Sequence, residues 1–221
     1  MDFRHLVATP ASLSEISADA LLIVVHGSVV DTALAPAISA LISEAVEAGD
    51  LQLKAGRSLY LHRPAGVKAP RLLVVGAAAA SVKSFKAAVA AGLGQLKGSG
   101  AKHIAVAVAD AHPLTALHGE ALATAVADAT YLYRHTKPSA AKAPAMSRFT
   151  LVCGKAQATD VAAGLQRGAA IAAGVTLARE CANRPGNYCT PTYLGEQAKR
   201  DRKSTRLNSS HDLASRMPSS A

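Results

Sequence analysis

Ala20-Leu-Leu-Ile-Val-Val-His26 carries no polar side chain before its last position, and this run constrains the fold more than any other feature of the chain. Side chains of a strand alternate between its two faces. A strand apolar at every position must therefore be covered on both sides, the situation of a parallel sheet between helical layers. Similar runs follow at Arg71-Leu-Leu-Val-Val-Gly76, Lys102-His-Ile-Ala-Val-Ala-Val108 and Phe149-Thr-Leu-Val-Cys153. Ser58-Leu-Tyr-Leu-His62 is a shorter strand, joined to the run at Arg71 by turn material too short for a crossover helix, so that pair is expected to be antiparallel.

Helical stretches lie between the strands. Leu34, Ile38, Leu41, Ile42 and Val46 fall near helical spacing over 33–48, with Thr32 as the expected cap and Gly49 as the stop. Ser81 or Ser84 starts a helix that runs to about Lys97 and ends at Gly98-Ser-Gly100. Pro113 suits a first helical position, with the helix running to Tyr133. A long Ala-rich helix covers 159–181, and after a loop dense in breakers Thr190 caps and Pro191 opens another over 192–199. The alternation predicts an α/β fold, a mixed sheet flanked by helices on both faces and followed by a long helix.

Composition narrows the function classes. At 221 residues, half of them hydrophobic, the chain buries a core of its own without staples, and its three cysteines do not make a disulfide scaffold. Met1 to Pro10 lacks a basic stretch followed by a long apolar one, so it does not read as a secretory signal, and a cytoplasmic location with reduced cysteines is expected. No apolar run reaches membrane-spanning length without a polar interruption, so no membrane association is expected. The net charge of +9 is scattered along the chain, from Lys54, Arg57 and Arg63 to Lys97 and Lys102, without interleaved stacking aromatics. Nucleic-acid binding is not expected from such a surface.

The chemistry-bearing residues nominate no active site. Gly92, Gly94, Gly98 and Gly100 end a helix and precede a strand, the reverse of a phosphate loop. Gly76-Ala-Ala-Ala-Ala80 has the right place, after a strand and before a helix, but neither a lysine nor the glycine spacing. His112, His118 and Glu120 form a loose group without zinc spacing, His26 and His62 end strands, and Asp110 is a lone acid. Cys153, Cys181 and Cys189 form no C-x-x-C, and Gly27-Ser-Val-Val breaks the nucleophile-elbow pattern. No catalytic, cofactor-binding or metal residue is assigned.

One segment carries a resemblance. Leu177, Arg179, Asn183, Pro185, Asn187, Thr190, Pro191 and Leu194 fit the pattern L-x-R-x-x-x-N-x-P-x-N-x-x-T-P-x-x-L, which resembles the interdomain junction of the leucyl aminopeptidase (cytosol aminopeptidase) family. Leu61-His-Arg-Pro-Ala-Gly-Val-Lys-Ala-Pro-Arg-Leu-Leu-Val-Val-Gly76 is similar to that family's strand, G-[VI]-K-A-x-R strand and glycine. The resemblance implies a macro-like N-terminal α/β domain over 1–155, an interdomain linker helix over 156–182 and the start of a catalytic domain over 183–200. It further implies a full-length protein that binds two divalent metals, manganese or zinc, through a lysine, aspartates and a glutamate. Such a protein releases N-terminal residues, leucine especially, from peptide substrates and assembles as a homo-hexamer.

No Asn-Thr-Asp-Ala-Glu string of the family's metal-binding motif occurs here. The chain alone is therefore expected to be inactive and monomeric. An alternative keeps it as a binding module, for a nucleotide-type ligand at Gly76 to Ser81 or for DNA. From Asp201 the composition turns Ser-rich, and Asp201-Arg-Lys-Ser-Thr-Arg-Leu-Asn-Ser-Ser-His211 with the residues to Ala221 resembles the translation of a common sequencing adapter. Residues 201–221 are accordingly expected to be a non-native, disordered tail.

Overall fold

The computed structural model describes residues 1–26, 33–109, 112–137 and 139–205, the last five without their side chains. The expected cap Thr32, Gly27-Ser-Val-Val, Asp110 and everything after Thr205 lie outside these described residues. The chain divides into two compact units, Met1–Thr176 and Leu177–Ala221.

The first unit is built on six strands: β1 (Asp2–Val7), β2 (Ala20–His26), β3 (Ser58–His62), β4 (Arg71–Ala77), β5 (His103–Val108) and β6 (Arg148–Cys153), ordered β1-β6-β5-β2-β4-β3. All neighbours are parallel except β3 and β4, as the short connection requires. The helices are α1 (Pro36–Glu47), α2 (Val82–Leu96), α3 (Ala116–Thr130) and α4 (Ala158–Asn183), and a 3-10 turn covers Pro10–Glu15.

The two-sided coverage demanded by β2 is met by two separate cores. Leu21, Ile23 and Val25 join Leu72, Val74, Ala105 and Ala107 under α1 and the 3-10 turn, through Ile38, Ile42 and Leu13. Leu22 and Val24 join Leu73, Val75, Ile104, Val106 and Phe149 under α2 and α3, through Phe85, Leu93, Leu122 and Val126. Residues 20 to 24 have no exposed surface at all. At about 1.5–3 kcal/mol for each fully buried aliphatic side chain, a register slip of β2 or loss of either layer is prohibitive. Asp19 fixes the amino end of this arrangement. Its carboxylate accepts the Lys102 and His103 N–H groups at 2.8 and 2.9 Å, and these bonds pull its pKa below the usual range.

Three local expectations need correction. Asp2–Val7 forms a strand that the sequence did not announce. It is an exposed edge strand whose order comes from backbone pairing to β6 and the stacking of Phe3 on Phe149, centroids 5.9 Å apart. Helix α1 starts at Pro36 with Ala35 as N-cap, because the fixed φ of proline suits the first turn. Pro113 does not open α3; Thr115 is its N-cap, in an extended conformation with its N–H bonded to His118 Nδ1. Gly49, at φ +81, ends the α1 region as expected.

By length and composition, Lys155–Asn183 is long and apolar enough to cross a membrane, with polar residues interrupting it. Length and composition alone do not distinguish such a span from the core helix of a soluble protein. Within the first unit its Val161, Gly164, Leu165, Gly168 and Ala172 are buried. A methyl group added to Gly164 would overlap the Ala116 carbonyl oxygen; one on Gly168 would lie 2.7 Å from Glu120 Cα, and one on Gly119 2.6 Å from the Val161 carbonyl oxygen. Helices α3 and α4 thus meet backbone to backbone through small residues. Arg167 of α4 closes the edge of the contact with an ion pair to Glu120 at 2.7 Å.

In the second unit, α5 (Pro191–Thr205) runs past the composition change at Asp201. Thr190 Oγ1 accepts the Tyr193 N–H at 3.2 Å, the expected cap. The Arg184 guanidinium lies 4.6 Å over the Tyr193 ring and 3.6 Å from Glu180.

Gly164→Ala is expected to cost about 1–3 kcal/mol through overpacking, lowering the melting temperature by about 2–12 °C. Gly94→Ala, on the exposed side of α2 with nothing within 4 Å, is expected to raise it, since alanine is favoured over glycine in helices by up to about 1 kcal/mol. Thermal unfolding followed by circular dichroism compares the two directly.

Candidate functional site

In an open parallel sheet, ligand sites form outside the carboxyl ends of the strands, where successive connections diverge to opposite faces. One such place here is the boundary between β2 and β5. The chain leaves β2 for α1 on one face and leaves β5 for α3 on the other.

Three histidines converge there. His26 is the last residue of β2, His112 follows β5, and His118 sits in the first turn of α3. The His26 and His112 rings are 5.6 Å apart, edge to face at 79°. His118 is 8% exposed and packs edge to face on Phe85 at 5.2 Å. Its Nδ1 accepts the backbone N–H of Thr115 at 3.1 Å and lies 3.1 Å from the Thr115 hydroxyl. Burial, and then the two neighbouring imidazoles, push the His118 pKa down. An Nδ1 that accepts a backbone N–H cannot itself carry a proton, so this ring is neutral with its hydrogen on Nε2.

The other flagged residues stay apart from this cluster. His62 ends β3 opposite Arg71, on the exposed edge. Glu120, grouped with His112 and His118 in the sequence, turns to Arg167 instead. Ser81 caps α2, its Oγ accepting the Ser84 N–H at 3.2 Å. Gly92 and Gly94 lie in the last turns of α2, and Gly98 and Gly100 follow it before β5, as expected. Sequence spacing could not reveal the histidine cluster, because its members lie on three separate elements; strand-end position was the one available signal.

The chemistry of the site is limited. Among the described residues no group of three or more His, Cys, Asp or Glu side chains is placed to hold a metal ion. A neighbouring cavity, lined by Thr9, Pro10, His112, Leu114, Cys153 and Gln157 among others, encloses about 60 Å³. That admits a few waters, against the roughly 300 Å³ at which small-molecule sites begin. Burial pushes the Cys153 thiol up, which disfavours the reactive thiolate.

Comparison with known proteins adds what the site does not. The model of the cytosol aminopeptidase family, N-terminal domain, matches residues 21–139. A probable cytosol aminopeptidase of Methylibium petroleiphilum is 55% identical over 207 residues, 94% of this chain and 42% of that protein. One of Polaromonas naphthalenivorans is 36% identical over 90% of this chain and 38% of its own length. Among solved structures, a mutant of tomato leucine aminopeptidase superposes with a TM-score of 0.73 at 25% identity, covering 92% of this chain and 42% of that one. The chain thus spans about two fifths of the length of the relatives it matches.

In the folded protein carrying Cys181→Ser and Cys189→Ser, Cys153 is expected to react with a thiol reagent at least about tenfold more slowly than after unfolding in guanidinium. A colorimetric thiol assay measures both rates.

Proposed function

The chain belongs to the cytosol aminopeptidase family, and from that premise we propose that it serves as the N-terminal domain of a dinuclear-metal enzyme releasing N-terminal residues, leucine especially, from peptides. The match of the N-terminal-domain model over residues 21–139 carries this reading. The high identity to the Methylibium protein over nearly the whole chain supports it.

The residues present do not fit the metal centre implied by the family. Among the described residues no group of three or more His, Cys, Asp or Glu side chains could hold a metal ion, and His118 Nδ1 is already engaged at the start of α3. The two divalent metals, manganese or zinc, are therefore assigned to the part of the relatives that this chain does not span. No catalytic step is assigned to any residue of this chain.

On this reading the domain is a folded support. The long helix α4 and the loop around Arg184 act as the linker toward the catalytic part. The chain itself binds no peptide, works in the cytoplasm, and is monomeric although the full-length family forms hexamers. The scattered charge supports no nucleic-acid role, and Gly76 to Ser81, with neither a lysine nor phosphate-loop glycine spacing, does not favour the nucleotide-binding alternative.

The purified chain is expected to show no turnover of leucine amide with added manganese or zinc. A chimera joining residues 1–183 to the remaining portion of the Methylibium relative is expected to hydrolyse it in a metal-dependent way. A soluble chimera that takes up metal but stays inert would overturn the assignment, as would activity that co-purifies with the unextended chain.

A further inference from the structure

The histidine cluster at the β2–β5 boundary lacks the chemistry of a ligand site, yet one of its members has a distinct geometry. Helix α3 begins at Thr115, and the groups that hold this start are the Thr115 N–H and hydroxyl, both directed at His118 Nδ1 at 3.1 Å. The usual partner in such a box is a glutamate or glutamine three residues into the helix. Glutamine has no titrating acceptor near neutral pH; an imidazole has one, and its acceptor is the atom that takes up the proton.

We propose that His118 is an acid-sensitive latch, whose protonation at Nδ1 turns the acceptor into a donor, expels the Thr115 N–H and loosens the first turn of α3 over the β2–β5 crevice.

The surroundings reinforce the effect. From β2 the facing titratable group is His26, and from the loop after β5 it is His112; the electrostatic influence of both rings disfavours an imidazolium at His118. From α2 the neighbour is Phe85, which is uncharged. From α4, Val161 and Leu165 lie close to Gly119. Glu120, on α3 itself, is engaged by Arg167. Among the described residues no carboxylate is in contact with the ring to stabilise an imidazolium.

The sign follows from proton linkage. Burial and the neighbouring imidazoles hold the folded-state pKa of His118 below the ordinary 6.5. The unfolded chain therefore binds the proton first, and stability falls as pH drops below about 6.5. Above that value the latch is fully closed. His103, also lowered, chiefly by burial, contributes in the same direction and needs its own control.

The test uses the full chain. His118→Gln keeps an acceptor for Thr115 without a titrating group, so the fall in melting temperature between pH 7.5 and 5.5 is expected to shrink by about half relative to the parent, whereas His103→Gln leaves the remaining fall attributable to His118. In the parent, hydrogen exchange at residues 116–119 is expected to accelerate on acidification more than exchange within α2, and the His118 ring proton in NMR is expected to titrate below the ordinary value. An unchanged pH slope in the folded His118→Gln protein would overturn the proposal. So would a His118 titration at or above the ordinary value. If His118→Gln fails to fold, the NMR titration and the exchange pattern of the parent decide by the same criteria.

Discussion

The central strand β2 must be buried on both faces, and the remainder of the domain is organised around that demand. Its odd positions need α1 and the 3-10 turn; its even positions need α2 and α3. Once both layers are in place, β4 and β5 are obliged to flank β2 in parallel, because each is itself apolar on both faces. The antiparallel β3 then fills an edge, where one exposed face is tolerated. Asp19 contributes a local constraint of the same kind, holding the start of β5 to the start of β2 through two charge-assisted hydrogen bonds.

A second constraint operates between α3 and α4. Gly119, Gly164 and Gly168 let two helix backbones come closer than side chains would permit, and the Lys155–Asn183 helical stretch is by length and composition long and apolar enough for a membrane span. In this domain the small residues serve packing against α3. The burial of Val161, Leu165 and Ala172 shows where the apolar stripe goes in the first unit. The second unit is organised differently, by polar geometry: a cap at Thr190, and an arginine held between Glu180 and the face of Tyr193.

The functional division follows from these two kinds of packing. A sheet whose carboxyl edge is closed by packed imidazoles, a capped helix and a cavity of a few waters is a stable platform. The chain belongs to the cytosol aminopeptidase family, and among its described residues no group of three or more His, Cys, Asp or Glu side chains is placed to hold a metal ion. The histidines that look most like a site are largely consumed by structure, His118 most clearly.

Five of the six strands, the antiparallel pair and the caps at Ser81 and Thr190 were legible from apolar runs and local hydrogen-bonding chemistry, because strand patterning and helix capping act over a few neighbouring residues. The family, too, was legible, from the spacing of Arg179, Asn183, Pro185, Asn187, Thr190 and Pro191. Edge strand β1 was not, since its order comes from pairing with residues far along the chain rather than from its own composition. Nor was the meeting of His26, His112 and His118, or the exchange of Glu120 to Arg167. Those contacts join separate elements, and only closure of the sheet and docking of the helices bring such side chains within range of one another.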